Sequence, residues 1–169
     1  MVIFSNVWKI WLITFKLISE EGEVELMSEP LCGTFYPSID SKGRMSFPTK
    51  LRDILGAEFY LCAGHDDSYI AVYSPAAFEE YRSKLYTVKG QKGSAIRRKL
   101  LSCADKQIPD KQGRIFITQQ LRDHAGITDD VVVIGAENRA EIWNRAKWEE
   151  FSENITLEEI NEALADLVL

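Results

Sequence analysis

Two short stretches of this chain carry side chains that could grip an acceptor-rich or negatively charged partner. They are Asp40-Ser41-Lys42-Gly43-Arg44 and, seventy residues later, Asp110-Lys111-Gln112-Gly113-Arg114. In each, the glycine can take the positive φ of a tight turn and the aspartate can bond the turn's amides. The arginine that follows presents a planar fork able to donate two hydrogen bonds at once, whereas Lys42 is a point charge on a flexible stem. Asp40 and Arg44 could equally pair with each other and brace their own turn. Lys50, Arg52 and Arg122 stand just downstream.

Other candidates for chemistry are thin. His65-Asp66-Asp67 is a compact acid-base cluster in a loop between two expected strands, and His124 stands at a helix end with no nucleophile indicated nearby. There is no cysteine-histidine pairing or metal-ligand spacing, and Gly90-Gln91-Lys92-Gly93-Ser94 lacks the spacing of a phosphate loop. No enzyme, cofactor, metal or small-molecule substrate is expected. Cys32, Cys62 and Cys103, odd in number and without C-x-x-C spacing, read as buried thiols in a reducing compartment. Lys89, Lys92, Arg97, Arg98 and Lys99 have no acid between them and read as a solvated helix face ahead of a nucleic-acid contact.

The elements that must position the two turns also come twice. Leu51-Arg52-Asp53 returns as Leu121-Arg122-Asp123, Gly56 as Gly126, Tyr73 as Trp143, and Phe78-Glu79-Glu80-Tyr81 as Trp148-Glu149-Glu150-Phe151, all at one offset of seventy. Two copies of one unit of roughly 50 residues, each marginal alone, are expected to fold together about a pseudo-two-fold axis. In each copy the turn lies between strands, since Met45-Ser46-Phe47 and Arg114 to Ile117 alternate as half-buried strands do. A short helix follows from Thr49 to Leu55, and again from Thr118 to Ala125, each ended by a glycine. Strands are expected at 32–36, 59–62, 70–73, 131–134 and 140–143. Ser74-Pro75 and Asn144 are the caps of the closing helices. A polar connection at 87–94 leads to a linker helix at 95–103. The tail is an amphipathic helix with a Thr156/Glu159 capping box and Leu157, Ile160, Leu164 and Leu167 along one stripe.

The division that results is an N-terminal extension (1–30), a first repeat (31–86), a linker helix (87–104), a second repeat (105–151) and an acidic C-terminal helix (152–169). The chain's net charge is −6, of which residues 1–31 contribute −3 and residues 152–169 contribute −5, leaving +2 for the repeats. A basic surface in the middle of an acidic chain is therefore available. Residues 1–18 are apolar but short for a bilayer and interrupted by Lys9 and Lys16, and they lack the layout of a secretory signal. No membrane role is expected, and translation starting at Met27 is the simplest account.

The doubled Asp-x-(Lys/Gln)-Gly-Arg turn, the Leu-Arg-Asp helix after each and the aromatic-Glu-Glu-aromatic helix closing each copy resemble the MraZ family of bacterial proteins. The resemblance spans roughly residues 32–151, with the N-terminal extension and acidic tail outside it. It implies a mainly β fold with short helices (α+β): two tandem AbrB-like (SpoVT-AbrB) swapped-hairpin β-barrel repeats forming an intrachain pseudo-dimer. It further implies a homo-oligomer, in the form of a ring, and a nucleoid-associated transcriptional regulator. The DNA bound would be double-stranded direct repeats in the promoter of the chain's own division and cell wall gene cluster. On that basis Arg44 and Arg114 are assigned to base or close backbone contact, with Gly43 and Gly113 shaping the turns. Lys42, Lys50 and Arg52 are assigned to positioning on the DNA backbone, and Arg122 is counted with them among the DNA-binding residues. Gln112 stands where the first copy has Lys42, so the copies need not contribute equally. Swapped-hairpin domains also occur in antitoxins, so the competing expectation is a protein-binding module acting through the tail.

Overall fold

The computed structural model describes residues 29–65 and 68–165. In chain order the elements are β1 (Thr34–Phe35), β2 (Arg44–Ser46), α1 (Thr49–Leu55), β3 (Phe59–Ala63), β4 (Tyr69–Tyr73), α2 (Pro75–Thr87), α3 (Gly90–Leu101), β5 (Asp105–Gln107), β6 (Arg114–Phe116), α4 (Gln119–Ala125), β7 (Val131–Ala136), β8 (Arg139–Asn144), α5 (Arg145–Glu153) and α6 (Leu157–Leu164). This is an α+β chain whose sheets are antiparallel. One sheet has six strands in the order β1-β7-β8-β4-β3-β5, and β2 and β6 make a separate two-stranded ribbon.

Every one of these pairings except the two hairpins joins one repeat to the other. β1 lies on β7, β5 on β3, β2 on β6 and β4 on β8. In the ribbon Arg44 faces Phe116, Met45 faces Ile115 and Ser46 faces Arg114. Adding seventy exchanges the outer two pairs and maps the middle one onto itself. Ala71 facing Glu141 is the self-equivalent pair of β4 and β8. The same two-fold relation thus runs through ribbon and sheet.

The offset of seventy does not hold everywhere. Tyr60 pairs with Tyr73, while Val132 pairs with Trp143, so β7 stands 72 residues after β3 although β8 stands seventy after β4. Two extra residues before β7 are offset by a tighter β7–β8 turn, in which Glu137 takes a φ of 63°. A non-glycine residue accepts that conformation only with strain. Here a reciprocal pair of backbone bonds with Leu31 (2.8 and 3.0 Å) holds it.

Strand alternation places two cores on the two faces of the large sheet. One contains Met45, Phe47, Leu51, Leu61, Val72, Ile115, Ile117, Leu121, Val133 and Ile142, under the ribbon, α1 and α4. The other is aromatic. Phe78 stacks on Tyr60 and Tyr81 on Tyr73, while Trp148 and Phe151 pack on Trp143, so the aromatic-Glu-Glu-aromatic helices close the second face. Glu141 is buried in the sheet but satisfied, accepting from Arg139 Nε (2.8 Å) and Trp143 Nε1 (3.0 Å). These donors offset the cost of burying its polar oxygens.

Local signals mostly hold. Ser74 and Asn144 accept from the amides of Ala77 and Lys147, and the Thr156/Glu159 capping box is present, while Thr118, expected as the first helical residue, instead caps α4 by accepting from the Leu121 amide. The expected polar connection at 87–94 is instead the start of α3 from Gly90. Gly93 sits so close to the Val88 carbonyl that a Cβ could not fit. Arg97 Nη1 donates to the carbonyls of Leu85 (3.2 Å) and Val88 (2.8 Å), and its guanidinium lies over the Tyr86 ring. That arginine braces a helical hairpin. The first strand is shorter than expected, and β5 has no counterpart among the expected strands. The expectations for residues 1–28, for Asp66 and Asp67 and for Leu167 lie outside the described residues. Along α6, Leu157, Ile160 and Leu164 are exposed, Leu157 at 78%. No helix among the described residues is long and apolar enough to cross a membrane.

Candidate nucleic-acid interface

The two glycine turns have the same construction. Asp40 Oδ1 accepts from the backbone N–H of Lys42 and of Arg44 (2.9 Å each), and Asp110 Oδ1 accepts from Gln112 and Arg114 at the same distances. The Gly43 and Gly113 amides donate to the Asp40 and Asp110 carbonyls, with φ of 79° and 74° at the glycines. From Asp40 to Leu55 and from Asp110 to Ala125 the burial pattern is identical residue for residue.

Each arginine does pair with its own aspartate. Arg44 Nε and Nη2 lie 2.9 and 2.7 Å from Asp40 Oδ2, and Arg114 Nε and Nη2 both lie 2.8 Å from Asp110 Oδ2. The brace and an outward contact are compatible. A guanidinium carries five N–H donors, and this side-on pairing uses two, leaving the Nη1/Nη2 end of the fork. Arg44 keeps 37% of its side chain exposed.

The turns' amides and guanidinium groups stabilise the carboxylates in their charged form. The Asp40 carboxyl is lowered from 3.8 to about 2, first by the Arg44 backbone N–H and then by its guanidinium, and Asp110 is lowered for the same leading reason. A depressed folded pKa gives stability that is complete above the unfolded value and lost as pH falls through the folded one. The stability difference between wild type and Asp40→Asn should therefore be constant at neutral pH and shrink as pH drops from 3.8 toward about 2. Urea midpoints across that range check this, and a difference that stays flat would show that the ion pair and amide bonds add nothing.

The ribbon's geometry brings the arginines together. Met45 and Ile115 turn inward, while Arg44, Ser46, Arg114 and Phe116 share the outward face. Arg44 and Arg114 are diagonal neighbours, with Cα atoms roughly 7–8 Å apart. Gly43 O accepts from Ile117 N (2.8 Å) and Gly113 O from Phe47 N (3.0 Å), so each turn is anchored on the other repeat. The helix arginines cross over in the same way. A Cβ on Gly113 would meet the Arg52 guanidinium, and one on Gly43 would lie 3.4 Å from Arg122 Cζ. Arg122 also donates to Gln119 Oε1 (2.7 Å). One end of the ribbon thus gathers Lys42, Arg44 and Arg122, and the other Lys111, Arg114 and Arg52.

Two residues of this face were not among the expected site residues: Lys111, which restores one residue earlier the cation that Gln112 lacks, and Phe116, which strand alternation sets on the face of Arg114. Lys50 is exposed on α1 with Nζ 3.9 Å from Cys32 Sγ, away from this shared set.

Both histidines line one cleft of about 420 Å³, together with Cys103 and Lys99. This juxtaposition was not expected, yet the Cys103 thiol donates to the Leu100 carbonyl (3.3 Å) within its own helix. Cys62 is buried, and burial pushes its thiol up to about 12. Among the described residues no cluster of three or more His, Cys, Asp or Glu could hold a metal.

The family described as "MraZ protein, putative antitoxin-like" matches residues 31–95 and 100–169, one segment per repeat, and takes in the acidic tail that the motifs alone left outside. Among curated relatives, "Transcriptional regulator MraZ" of Finegoldia magna is 40% identical over 139 residues, covering 80% of this chain and 96% of the relative. The protein of the same name from a Thermoanaerobacter species is 42% identical over 141 residues (81% and 98%), and that from Acetivibrio thermocellus 38% over 141 (80% and 96%). They are named as regulators, a class that is not enzymatic, in line with the expectation against catalysis. With both repeats matched and relatives of about 40% identity spanning four-fifths of its length, this chain belongs to the MraZ family.

Proposed function

We propose that this protein is a sequence-specific DNA-binding transcriptional regulator that lays the outward face of the β2–β6 ribbon into the major groove. The observation that carries this is the pair of braced arginines, diagonal neighbours on the outward face of the ribbon, each with about a third of its side chain exposed and fork donors left over from its aspartate. A two-stranded ribbon fits the major groove, and a guanidinium fork matches guanine O6 and N7. Lys42, Lys111, Lys50, Arg52 and Arg122 then serve phosphates, fixing the register of the ribbon on the duplex. The relatives' name supports the regulatory role.

The cross-repeat pairings support a swapped-hairpin, AbrB-like pseudo-dimer within one chain. The finer reading is of subunits in a cytoplasmic, nucleoid-associated ring that binds direct repeats in the promoter of its own division and cell wall gene cluster. A ring presents identical ribbons facing the same way, and linked weak contacts gain through effective concentration. The exposed apolar stripe of α6 favours one second reading, an antitoxin-like contact with a protein partner. A stoichiometric partner on purification would favour that alternative.

A salt titration tests the main proposal. Binding to duplex DNA from upstream of the protein's own gene should fall linearly in log–log form, with a slope of about −0.9 per phosphate neutralised. A flat dependence, or equal affinity for an unrelated duplex, would count against it.

A further inference from the structure

We infer that Phe116 is a specificity-determining residue, which reads a thymine methyl beside the base contacted by Arg44 and so makes the pseudo-symmetric ribbon directional. This rests on the DNA-reading role proposed above. On the outward face each end of the ribbon has one arginine and one cross-strand neighbour: Arg44 faces Phe116, and Arg114 faces Ser46. Residues 46 and 116 are repeat mates, yet one is a small hydroxyl and the other a large apolar ring. Phe116 is 47% exposed, although Ile115 and Ile117 on either side are buried.

The ring also has a neighbour on the first turn. Its Cε2 atom would lie 3.2 Å from a Cβ on Gly43, so it lies against the first turn, and the Phe116 N–H donates to Gln107 Oε1 (3.0 Å). An apolar group beside a set of cations has a matching target in the major groove. The C5 methyl of thymine is the apolar mark on that edge, and phenylalanine is among the side chains that contact it. The Arg44 end would then prefer guanine next to thymine, and the Arg114 end, with Ser46, would tolerate other neighbours.

The test selects bound duplexes from a random pool with the full chain, with Phe116→Ser and with Ser46→Phe, and measures oligomer size on the same samples. Both substitutions are at exposed positions, where folding is little affected. Wild type should select a motif with thymine at one end. Phe116→Ser should keep the guanine and lose the thymine, and Ser46→Phe should gain a thymine at the opposite end. In the best wild-type duplex, replacing that thymine by deoxyuridine should weaken wild type about fourfold, as expected for one methyl group, and leave Phe116→Ser unchanged. A Phe116→Ser motif that retains the thymine, or indifference of wild type to deoxyuridine, overturns the inference but leaves DNA reading intact. A change in oligomer size with an unchanged motif overturns it in favour of a contact between copies. A wild type that selects no motif overturns the DNA-reading role and this inference with it.

Discussion

Arg44→Ala is expected to weaken binding to promoter duplex roughly 5- to 150-fold, the loss of about 1–3 kcal/mol from one bidentate base contact. Oligomer size should not change, because the residue lies on the exposed ribbon face. Both side chains of the Asp40–Arg44 pair are more than a third exposed, where solvent screens the attraction, so losing it should cost little stability. Arg44→Lys separates charge from shape. Lysine keeps the cation but not the fork, so affinity for nonspecific DNA should survive better than preference for the cognate site. Arg114→Ala should weaken binding less, since Ser46 rather than Phe116 stands opposite it. Fluorescence anisotropy at several salt concentrations reads all three variants. If Arg44→Ala binds as wild type does at every salt concentration, the arginine only braces its turn.

Leu121→Ala, and separately Leu51→Ala, should each cost about 2–5 kcal/mol while leaving one cooperative unfolding transition. Both leucines are fully buried in the same core, and the pairings that flank that core join one repeat to the other. A loss of that size is a large part of a typical domain's 5–15 kcal/mol. Urea denaturation followed by tryptophan fluorescence is informative because the first repeat holds no tryptophan and the second holds Trp143 and Trp148, so in a chain started at Met27, without Trp8 and Trp11, the signal reports on the second repeat, with far-UV circular dichroism reporting on both. Coincident transitions that shift together would fit one interlocked unit. Two transitions, with Leu51→Ala moving one and Leu121→Ala the other, would mean that the repeats fold independently.

What the sequence determined by itself is what short-range chemistry dictates. The glycine turns, the aspartates that bond them and the caps at Ser74, Asn144 and Thr156 depend on contacts within about four residues. These were legible residue by residue, as was the duplication. The inward and outward faces of the strands also follow from alternation, since side chains must point to opposite sides. Only the tertiary structure decided which strands meet. Alternation names a face but no partner, so the crossing of β1 to β7, β5 to β3 and β2 to β6 could not be read from one chain. The same holds for the crossing of Arg52 to Gly113 and Arg122 to Gly43, which makes each end of the candidate site a joint product of both repeats. It holds too for the compensated two-residue shift at β7, because one constant offset conceals an insertion and a shortened turn that cancel. Phe116 shows the limit most plainly. Alternation puts it on the face of Arg114, but only the pairing across the ribbon set it opposite Arg44 and beside the cations of the first turn.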